Sequence, residues 1–251
     1  MLNHPTLDKL RTLKFYGMIQ GLHDQAQHPA IEQLSFEERL GLLVDREMTD
    51  RLGRRLKNRL LQARLKQNAS LEDIDYQVNR GLDKALIHSL HDCQWVKKSL
   101  NVLITGPTGV GKSWIACALA QKACREGYTA TYLRVPRLLQ EMTLSKGDGS
   151  YNKLFNKLGK TDVLLLDDWG LATLTPEQRR DVLEILEDRH GSHSTLVTSQ
   201  LPLDQWHANI GDATLADAIM DRLVHNAYKI NLTGESLRKK QANLTTTKEM
   251  E

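Results

Sequence analysis

Apolar residues recur with two different spacings along the chain, and the change of spacing divides it into two parts. In the first part they recur every three or four residues, which is typical of amphipathic helices. This pattern predicts one helix over Thr6–Gln27 and a second from Ser35 to about Lys66. Ser35 and Glu38 form a capping-box pattern at the start of the second helix. We therefore expect a small all-α N-terminal domain over residues 1–68.

From residue 69 onward, short apolar runs alternate with helical patterns. The predicted strands are Leu100–Thr105, Tyr128–Val135, Val163–Asp167, Ser194–Ser199 and Tyr228–Leu232. The predicted helices are Gly81–Trp95, Trp114–Cys124, one that starts at Pro136, Tyr151–Leu158, Pro176–His190 and Thr214–His225. Such alternation is typical of an α/β domain in which helices flank a parallel sheet. We place this domain over residues 69–240 and expect a disordered polar tail over 241–251.

A glycine-rich stretch follows the first predicted strand and opens a helix. It consists of Gly106, Pro107, Thr108, Gly109, Val110, Gly111, Lys112 and Ser113. Glycines let the backbone approach a triphosphate closely, so that N–H groups and the helix N-terminus point at the anion. Lys112 is placed to reach the β and γ phosphates, and the Ser113 hydroxyl to bind Mg²⁺. The stretch predicts a site for a nucleoside triphosphate with Mg²⁺.

Two carboxylates, Asp167 and Asp168, end the most apolar predicted strand. The carboxyl ends of parallel strands are where such sheets bind ligands. Asp167 therefore suits the Mg²⁺ shell, and Asp168 the orientation or deprotonation of an attacking water. Ser199 or Gln200, at the end of the next strand, is a candidate sensor of the γ phosphate. The pattern does not choose between these two residues, and an ordinary polar strand end explains them equally well.

Two arginines near the end of the chain are candidates for phosphate contacts. Arg222 lies on a predicted helix, and an arginine of this kind stabilises charge in the neighbouring subunit's site in oligomeric ATPases. Arg238 opens a basic run and is a second candidate. For both residues, a solvated surface charge is the competing interpretation.

The formal net charge of +3 is too small to indicate nucleic-acid binding, but its distribution is uneven. The second half of the helix that ends near Lys66 is basic without an intervening acid. Its candidate DNA contacts are Arg51, Arg54, Arg55, Lys57 and Arg59. Leucines interleave with these charges, so packing against a partner subunit is the alternative. Phosphate contacts would weaken with salt.

Three cysteines without a CxxC pair fit a reducing compartment. The first residues do not form a signal-peptide pattern, and no apolar run approaches the length that crosses a membrane. We therefore expect a cytoplasmic protein.

Taken together, these motifs resemble AAA+ ATPases of the helicase-loader clade, and within it the IstB-like transposition helper proteins. Four stretches carry the clade resemblance: 106–113, 165–170, 218–223 and 234–238. The N-terminal pattern Leu34–Leu40, followed by Glu47, Arg51 and Leu71–Asp75, narrows the match to IstB-like proteins. Asp168 stands where most AAA+ proteins have Glu, and Leu237 where the clade has an aromatic residue. Too few residues follow Arg222 for a C-terminal lid domain.

The resemblance implies a homo-oligomer with ATP bound between subunits, assembly on duplex DNA and recruitment or activation of a transposase. Hydrolysis is expected to be slow and to depend on DNA and on the oligomer. The short helix Tyr151–Leu158 lies where this clade inserts a helix, which adds Arg137, Lys146 and Lys153 as candidate DNA contacts. A solvated basic face explains these three charges equally well. A helicase loader acting on single-stranded DNA is the alternative. A small-molecule kinase is disfavoured by the paired aspartates and the missing lid.

Overall fold

A computed structural model describes residues 5–28, 31 and 33–237 of the chain. The chain divides into two compact units, Met1–Asn58 and Arg59–Glu251. The division falls inside a long helix, whereas the sequence places the domain boundary at residues 68 and 69. The last turns of this helix belong to the second unit, where Arg59 Nε donates to the Cys124 carbonyl at 2.9 Å and Ala63 is fully buried.

The first unit consists of α1 (Pro5–Thr12), α2 (Tyr16–Gln27) and most of α3 (Phe36–Ala63). The prediction of one helix over Thr6–Gln27 is wrong, because the chain turns at Lys14, whose φ angle is 60°. α2 and α3 pack very closely, since a Cβ on Gly17 would lie 2.6 Å from the Glu47 Cα atom. The capping box is confirmed by reciprocal hydrogen bonds between Ser35 and Glu38, at 2.8 and 3.3 Å.

The second unit begins with short helices. A 3-10 helix covers Leu71–Asp73, and α4 (Lys84–Leu90) and α5 (Gln94–Lys97) follow. The predicted continuous helix over Gly81–Trp95 is wrong. It is interrupted at Cys93, whose backbone is left-handed with a φ angle of 56°.

A parallel five-stranded sheet forms the centre of the second unit, in the order β2-β3-β4-β1-β5. Its strands are β1 (Asn101–Thr105), β2 (Ala130–Arg134), β3 (Val163–Trp169), β4 (Ser194–Ser199) and β5 (Ala227–Asn231). The connecting helices are α6 (Lys112–Arg125), α7 (Val135–Asp148), α8 (Tyr151–Lys160), α9 (Pro176–Arg189), α10 (Trp206–Ile210) and α11 (Ala213–Val224). The α/β fold class predicted from the sequence is confirmed. In the part of the chain that the structure describes, only residues 232–237 follow β5, too few for a lid domain.

One part of the core of this unit lies between the sheet and the apolar faces of α7 to α11, and α6 also packs on the sheet with its buried residues. Leu103, Leu166 and Val197 of the strands pack there against Ile185 and Ile219 of the helices, all at most 2% exposed. The helix α10, which the sequence pattern did not predict, contributes the fully buried Trp206. Consequently the carboxyl ends of β1, β3 and β4 are held side by side, and the candidate site residues follow them.

Candidate functional site

A glycine-rich loop joins β1 to α6 in a conformation that suits glycine. The φ angles of Gly106, Gly109 and Gly111 are 142°, 85° and 98°, a region that residues with a Cβ rarely adopt. A Cβ on Gly106 would collide with the Leu232 carbonyl oxygen. α6 begins at Lys112, directly after the loop, so the unpaired N–H groups of its first turn face the same space. This arrangement is suited to cradling an anion.

Side chains on and beside the loop contact it directly. Lys112 is 8% exposed, and its Nζ atom donates to the Pro107 carbonyl at 2.8 Å. The Thr108 hydroxyl donates to Gln200 Oε1 at 2.6 Å, which ties the loop to the end of β4. The fully buried Val110 anchors the loop beneath its surface.

The segment after β5 lies against the same loop. The Leu237 N–H donates to the Gly109 carbonyl at 3.0 Å, and a Cβ on Gly109 would collide with the Ser236 hydroxyl. Arg238, the predicted phosphate contact that follows, lies outside the described residues.

Asp167 is the most densely hydrogen-bonded side chain of the site and is fully buried. Its Oδ1 atom accepts from the Ser113 hydroxyl at 2.7 Å and from the Thr198 hydroxyl. Its Oδ2 atom accepts from the Tyr132 hydroxyl at 2.6 Å, and Lys66 Nζ lies 3.8 Å away. The two predicted metal ligands, Ser113 and Asp167, are therefore brought together.

Burial alone would raise the pKa of the Asp167 carboxyl. The hydrogen bonds from Thr198, Tyr132 and Ser113, together with the Lys66 charge, outweigh burial and hold this pKa below its ordinary value. Burial raises the pKa of the Tyr132 phenol, and its hydrogen bond to the Asp167 carboxylate raises it further. Asp167 is thus a permanent anion at neutral pH.

Asp168 stands in a different setting from its neighbour. Its φ angle of 65° lies in the left-handed region, where the pairing of β3 with β4 is irregular between Leu166 and Trp169. Its Oδ2 atom lies 2.7 Å from Arg134 Nε, and its side chain is 19% exposed. The turn points the two consecutive carboxylates at different partners. A side chain at a solvent edge is suited to handling a water molecule.

The two sensor candidates at the end of β4 have different surroundings. Ser199 is fully buried, and its hydroxyl donates to the Trp169 carbonyl at 2.8 Å and accepts from the Leu201 N–H at 3.0 Å. Gln200 is half-buried and contacts Thr108 of the glycine-rich loop. The geometry favours Gln200 as the residue that faces a phosphate.

Arg222, near the end of α11, forms two ion pairs in its own chain. Its Nη2 atom is 2.8 Å from Glu187 Oε1, and its Nη1 atom is 2.9 Å from Asp221 Oδ2. The Asn101 amide donates to the carbonyls of Arg222 at 2.8 Å and of Leu223 at 3.2 Å, which fixes this end of α11. The contribution of Arg222 to a neighbouring subunit stays a prediction.

Two predicted DNA contacts take part in the structure of the N-terminal unit. Arg51 Nε lies 2.6 Å from the buried Glu47 Oε1, and Arg54 Nη2 lies 3.6 Å from the same atom. The Arg51 guanidinium also stacks on the Phe15 ring and that of Arg54 on the Tyr16 ring, at 4.9 and 5.1 Å. Arg55 and Lys57 are exposed on α3.

The members of the second group of predicted DNA contacts, Arg137, Lys146 and Lys153, also differ from one another in their surroundings. Lys146 Nζ lies 2.7 Å from Asp181 Oδ2 and 5.2 Å from the Tyr151 ring centre, so it has a packing role. Arg137 and Lys153 are exposed, and Arg137 Nε lies 3.5 Å from Glu141.

Sequence reasoning missed four residues that shape the site. Tyr132 and Thr198 bind Asp167, and Arg134 binds Asp168. Arg80 is 5% exposed, with its Nη1 atom 3.5 Å from the Val110 carbonyl. Adjacent parallel strands offered a signal, because β2 and β4 flank β3 and bring their carboxyl ends beside the two aspartates.

The donor set fits a nucleotide with a divalent cation. Hydroxyl and carboxylate oxygens are the ligands that Mg²⁺ prefers, and Ser113 and Asp167 supply one of each. Backbone N–H groups and Lys112 supply the donors for phosphate oxygens.

Two solved structures, of DnaI and of the DnaC helicase loader, have the same fold. The chain is similar to the crystal structure of DnaI, with a TM-score of 0.58 and 26% identity over 66% of this chain and 92% of that one. The DnaC helicase loader shares the fold at 17% identity, with a TM-score of 0.53 over 66% of this chain and 97% of that one.

Sequence relatives match this chain over nearly its whole length. A Sinorhizobium fredii protein named as an insertion sequence ATP-binding protein is 52% identical over 96% of this chain and 98% of its own length. A Pseudomonas aeruginosa protein named for ATP binding in insertion sequence IS21 is 31% identical over 93% of this chain and 86% of its own. The profile of the IstB-like ATP binding protein family matches residues 8–245. The chain therefore belongs to the IstB-like ATP-binding protein family.

Proposed function

We propose that this protein is an ATPase that regulates transposition by assembling on duplex DNA and recruiting or activating a transposase. The names of its relatives, which combine insertion sequences with ATP binding, support the transposition context. The observation that carries the ATPase assignment is the 2.7 Å hydrogen bond between Ser113 and Asp167 beside the glycine-rich loop. This bond brings the start of α6, directly after the glycine-rich loop, and the acidic end of β3 together in one site.

In this proposal each residue has a separate task. Gly106 to Gly111 wrap the triphosphate with backbone N–H groups, and Lys112 binds its β and γ oxygens. Ser113 and Asp167 would hold Mg²⁺, which when bound supplies charge neutralisation on the transferred phosphoryl group. Asp168 orients the attacking water and accepts its proton.

The remaining tasks concern sensing and assembly. Gln200, at the end of β4, contacts the γ phosphate. Ser199 instead stabilises the turn after β4 through its hydrogen bonds to main-chain groups. Arg222, supplied by a neighbouring subunit, stabilises the charge that develops on the phosphoryl group, and Arg238 is a further phosphate contact. ATP bound between subunits therefore couples nucleotide to assembly.

Exposed cations are the best candidates for DNA contacts. Among the predicted set, Arg55, Lys57, Arg137, Lys146 and Lys153 are exposed, but Lys146 pairs with the buried Asp181. Arg51 and Arg54 pair with the buried Glu47, and Arg59 binds a main-chain carbonyl. We assign phosphate contacts to Arg55, Lys57, Arg137 and Lys153, and structural roles to the other four.

The likeness to DnaI favours one second candidate, a helicase loader that acts on single-stranded DNA. The two functions differ in the DNA that they bind. Anisotropy of labelled duplex and single-stranded DNA, with and without ATP and Mg²⁺, separates them. We expect duplex binding that requires ATP and is lost in Lys112→Ala but kept in the surface control Lys98→Ala. A preference for single strands would favour the loader, and ATP-independent binding would contradict the proposal.

A further inference from the structure

Lys66 places a positive charge beside the buried carboxylate of Asp167. Its Nζ atom lies 3.8 Å from Asp167 Oδ2, and its side chain is 41% exposed whereas that of Asp167 is 0% exposed. The hydroxyls of Ser113, Thr198 and Tyr132 also contact this carboxylate, but they carry no charge. Lys66 therefore supplies charge compensation that the hydroxyls do not.

The backbone around Lys66 is anchored on α6. Burial raises the pKa of the Cys117 thiol, one helical turn beyond Ser113, and the neighbouring backbone N–H groups of Gln67 and Lys66 act in the opposite direction. Arg64, just after the end of α3, has a left-handed backbone with a φ angle of 50°. The segment Arg64–Gln67 thus leaves α3 by a sharp turn and holds α6 through its backbone and Asp167 through its amine.

We propose that the Lys66 ammonium is a resident counter-ion of Asp167 that competes with Mg²⁺ for this carboxylate. The inference rests on the proposed function, in which Asp167 is a metal ligand. Two cations at one carboxylate repel each other, and the partial burial of the pair keeps solvent from screening that repulsion fully. When the site holds metal and nucleotide, Lys66 withdraws, and the segment Arg64–Gln67 loosens from α6.

A magnesium titration tests the competition. Binding of a fluorescent ATP analogue is measured at fixed nucleotide while Mg²⁺ is raised. We expect Lys66→Met to lower the half-saturating Mg²⁺ concentration by about tenfold, which corresponds to about 1.4 kcal/mol. Lys66→Arg, which keeps the charge, and Lys98→Met, which removes a charge from an exposed site elsewhere, should both match the wild type.

Amide hydrogen exchange tests the release of the segment without measuring activity. In the wild type, exchange over residues 64–67 should accelerate when Mg²⁺ and ATP are added together. In Lys66→Met, exchange there should already be fast and should not respond to Mg²⁺. Thermal unfolding of each variant shows whether it is folded.

Three results would overturn the inference. One is an unchanged Mg²⁺ midpoint in a folded Lys66→Met protein that binds the nucleotide normally. Another is weaker nucleotide binding by this variant in EDTA, because Lys66 would then be a phosphate ligand. A third is exchange over residues 64–67 that is the same with and without Mg²⁺ and ATP in the wild type. Failure of the wild type itself to bind the nucleotide would instead overturn the proposed function, and the inference with it.

Discussion

Arg134 and Asp168 form an ion pair between adjacent strand ends, with 2.7 Å between the Arg134 Nε and Asp168 Oδ2 atoms. The bond also raises the pKa of the Arg134 guanidinium. We propose that Asp168 orients the attacking water. The Asp168 carboxylate, which would accept the proton, is paired with the Arg134 cation. In the proposed mechanism, this pair must loosen before Asp168 can accept a proton from the water.

Removing the Arg134 cation should free Asp168. We expect Arg134→Gln to raise ATP hydrolysis measured without DNA by about threefold to tenfold, because a carboxylate without a counter-ion is the better base. Steady-state phosphate release measures the effect, and Arg137→Gln serves as the control. A fall in turnover at unchanged ATP affinity would show that Arg134 assists the reaction.

The hydrogen bonds to Asp167 should appear in the pH dependence of stability. Its pKa is depressed in the folded protein, so the stability it contributes is present above the unfolded pKa of about 3.9 and is lost as pH falls through the lower folded value. Tyr132→Phe removes one donor and should destabilise the protein by about 1–3 kcal/mol at pH 7. This loss should shrink below about pH 4. Denaturant unfolding across pH, with Tyr128→Phe as the control, measures it. A loss that is constant with pH would contradict the assignment.

Ser199 and Gln200 should differ in what their substitution changes. Ser199→Ala removes a hydroxyl that bridges two main-chain groups and should lower stability by about 1 kcal/mol with little effect on kcat. Gln200→Ala should lower kcat by about tenfold or more while ATP affinity and stability are kept. Thermal unfolding and turnover, measured on both variants, show which of the two residues acts on catalysis and which on stability. The reverse pattern would make Ser199 the sensor.

The five strands of the second unit and its helices α6 to α9 and α11 could be predicted from the sequence, because buried strands are short continuous apolar runs and these helices are periodic. β4 and the acidic end of β3 were predicted closely. The breaks at Lys14 and Cys93 could not be predicted, because each depends on one non-glycine residue with a positive φ angle, which side-chain patterns do not reveal.

The site was predictable only where one segment contains the whole motif. The glycine-rich loop and the paired aspartates are contiguous in the sequence, whereas Tyr132 and Arg134 reach the aspartates through strand pairing. Glu47 lies one helical turn before Arg51, so their pairing is a local feature of α3, whereas the burial of Glu47 and its hydrogen bond from the Met18 N–H depend on the packing of α2. Contacts between distant segments therefore account for most of what the sequence reading missed.

Arg222 should act on the site of a neighbouring subunit. We expect Arg222→Ala to bind ATP normally and to lose hydrolysis by about a thousandfold. Mixing it with Lys112→Ala, which keeps Arg222 but lacks its own nucleotide contact, should restore part of the turnover. Phosphate release from the mixture measures this complementation. Normal turnover by Arg222→Ala alone would show that Arg222 has only a structural role, through its ion pairs with Glu187 and Asp221.

The exposed and the paired cations should respond differently to substitution. Lys153→Ala should weaken duplex binding and lower the salt slope by about 1. Lys146→Ala should instead lower stability, because it leaves the buried Asp181 without its cation, and should leave the salt slope unchanged. Affinity measured at several salt concentrations, together with thermal unfolding, tests both. Equal slopes for wild type and Lys153→Ala would exclude this residue from the DNA surface.

ATP-dependent assembly on duplex DNA can be tested by counting the protein copies on one duplex by mass photometry, with and without ATP and Mg²⁺. We expect multimeric complexes on duplex DNA only when ATP is present, and none with Lys112→Ala under the same conditions. Equal loading with and without ATP, or full loading by Lys112→Ala, would contradict this expectation.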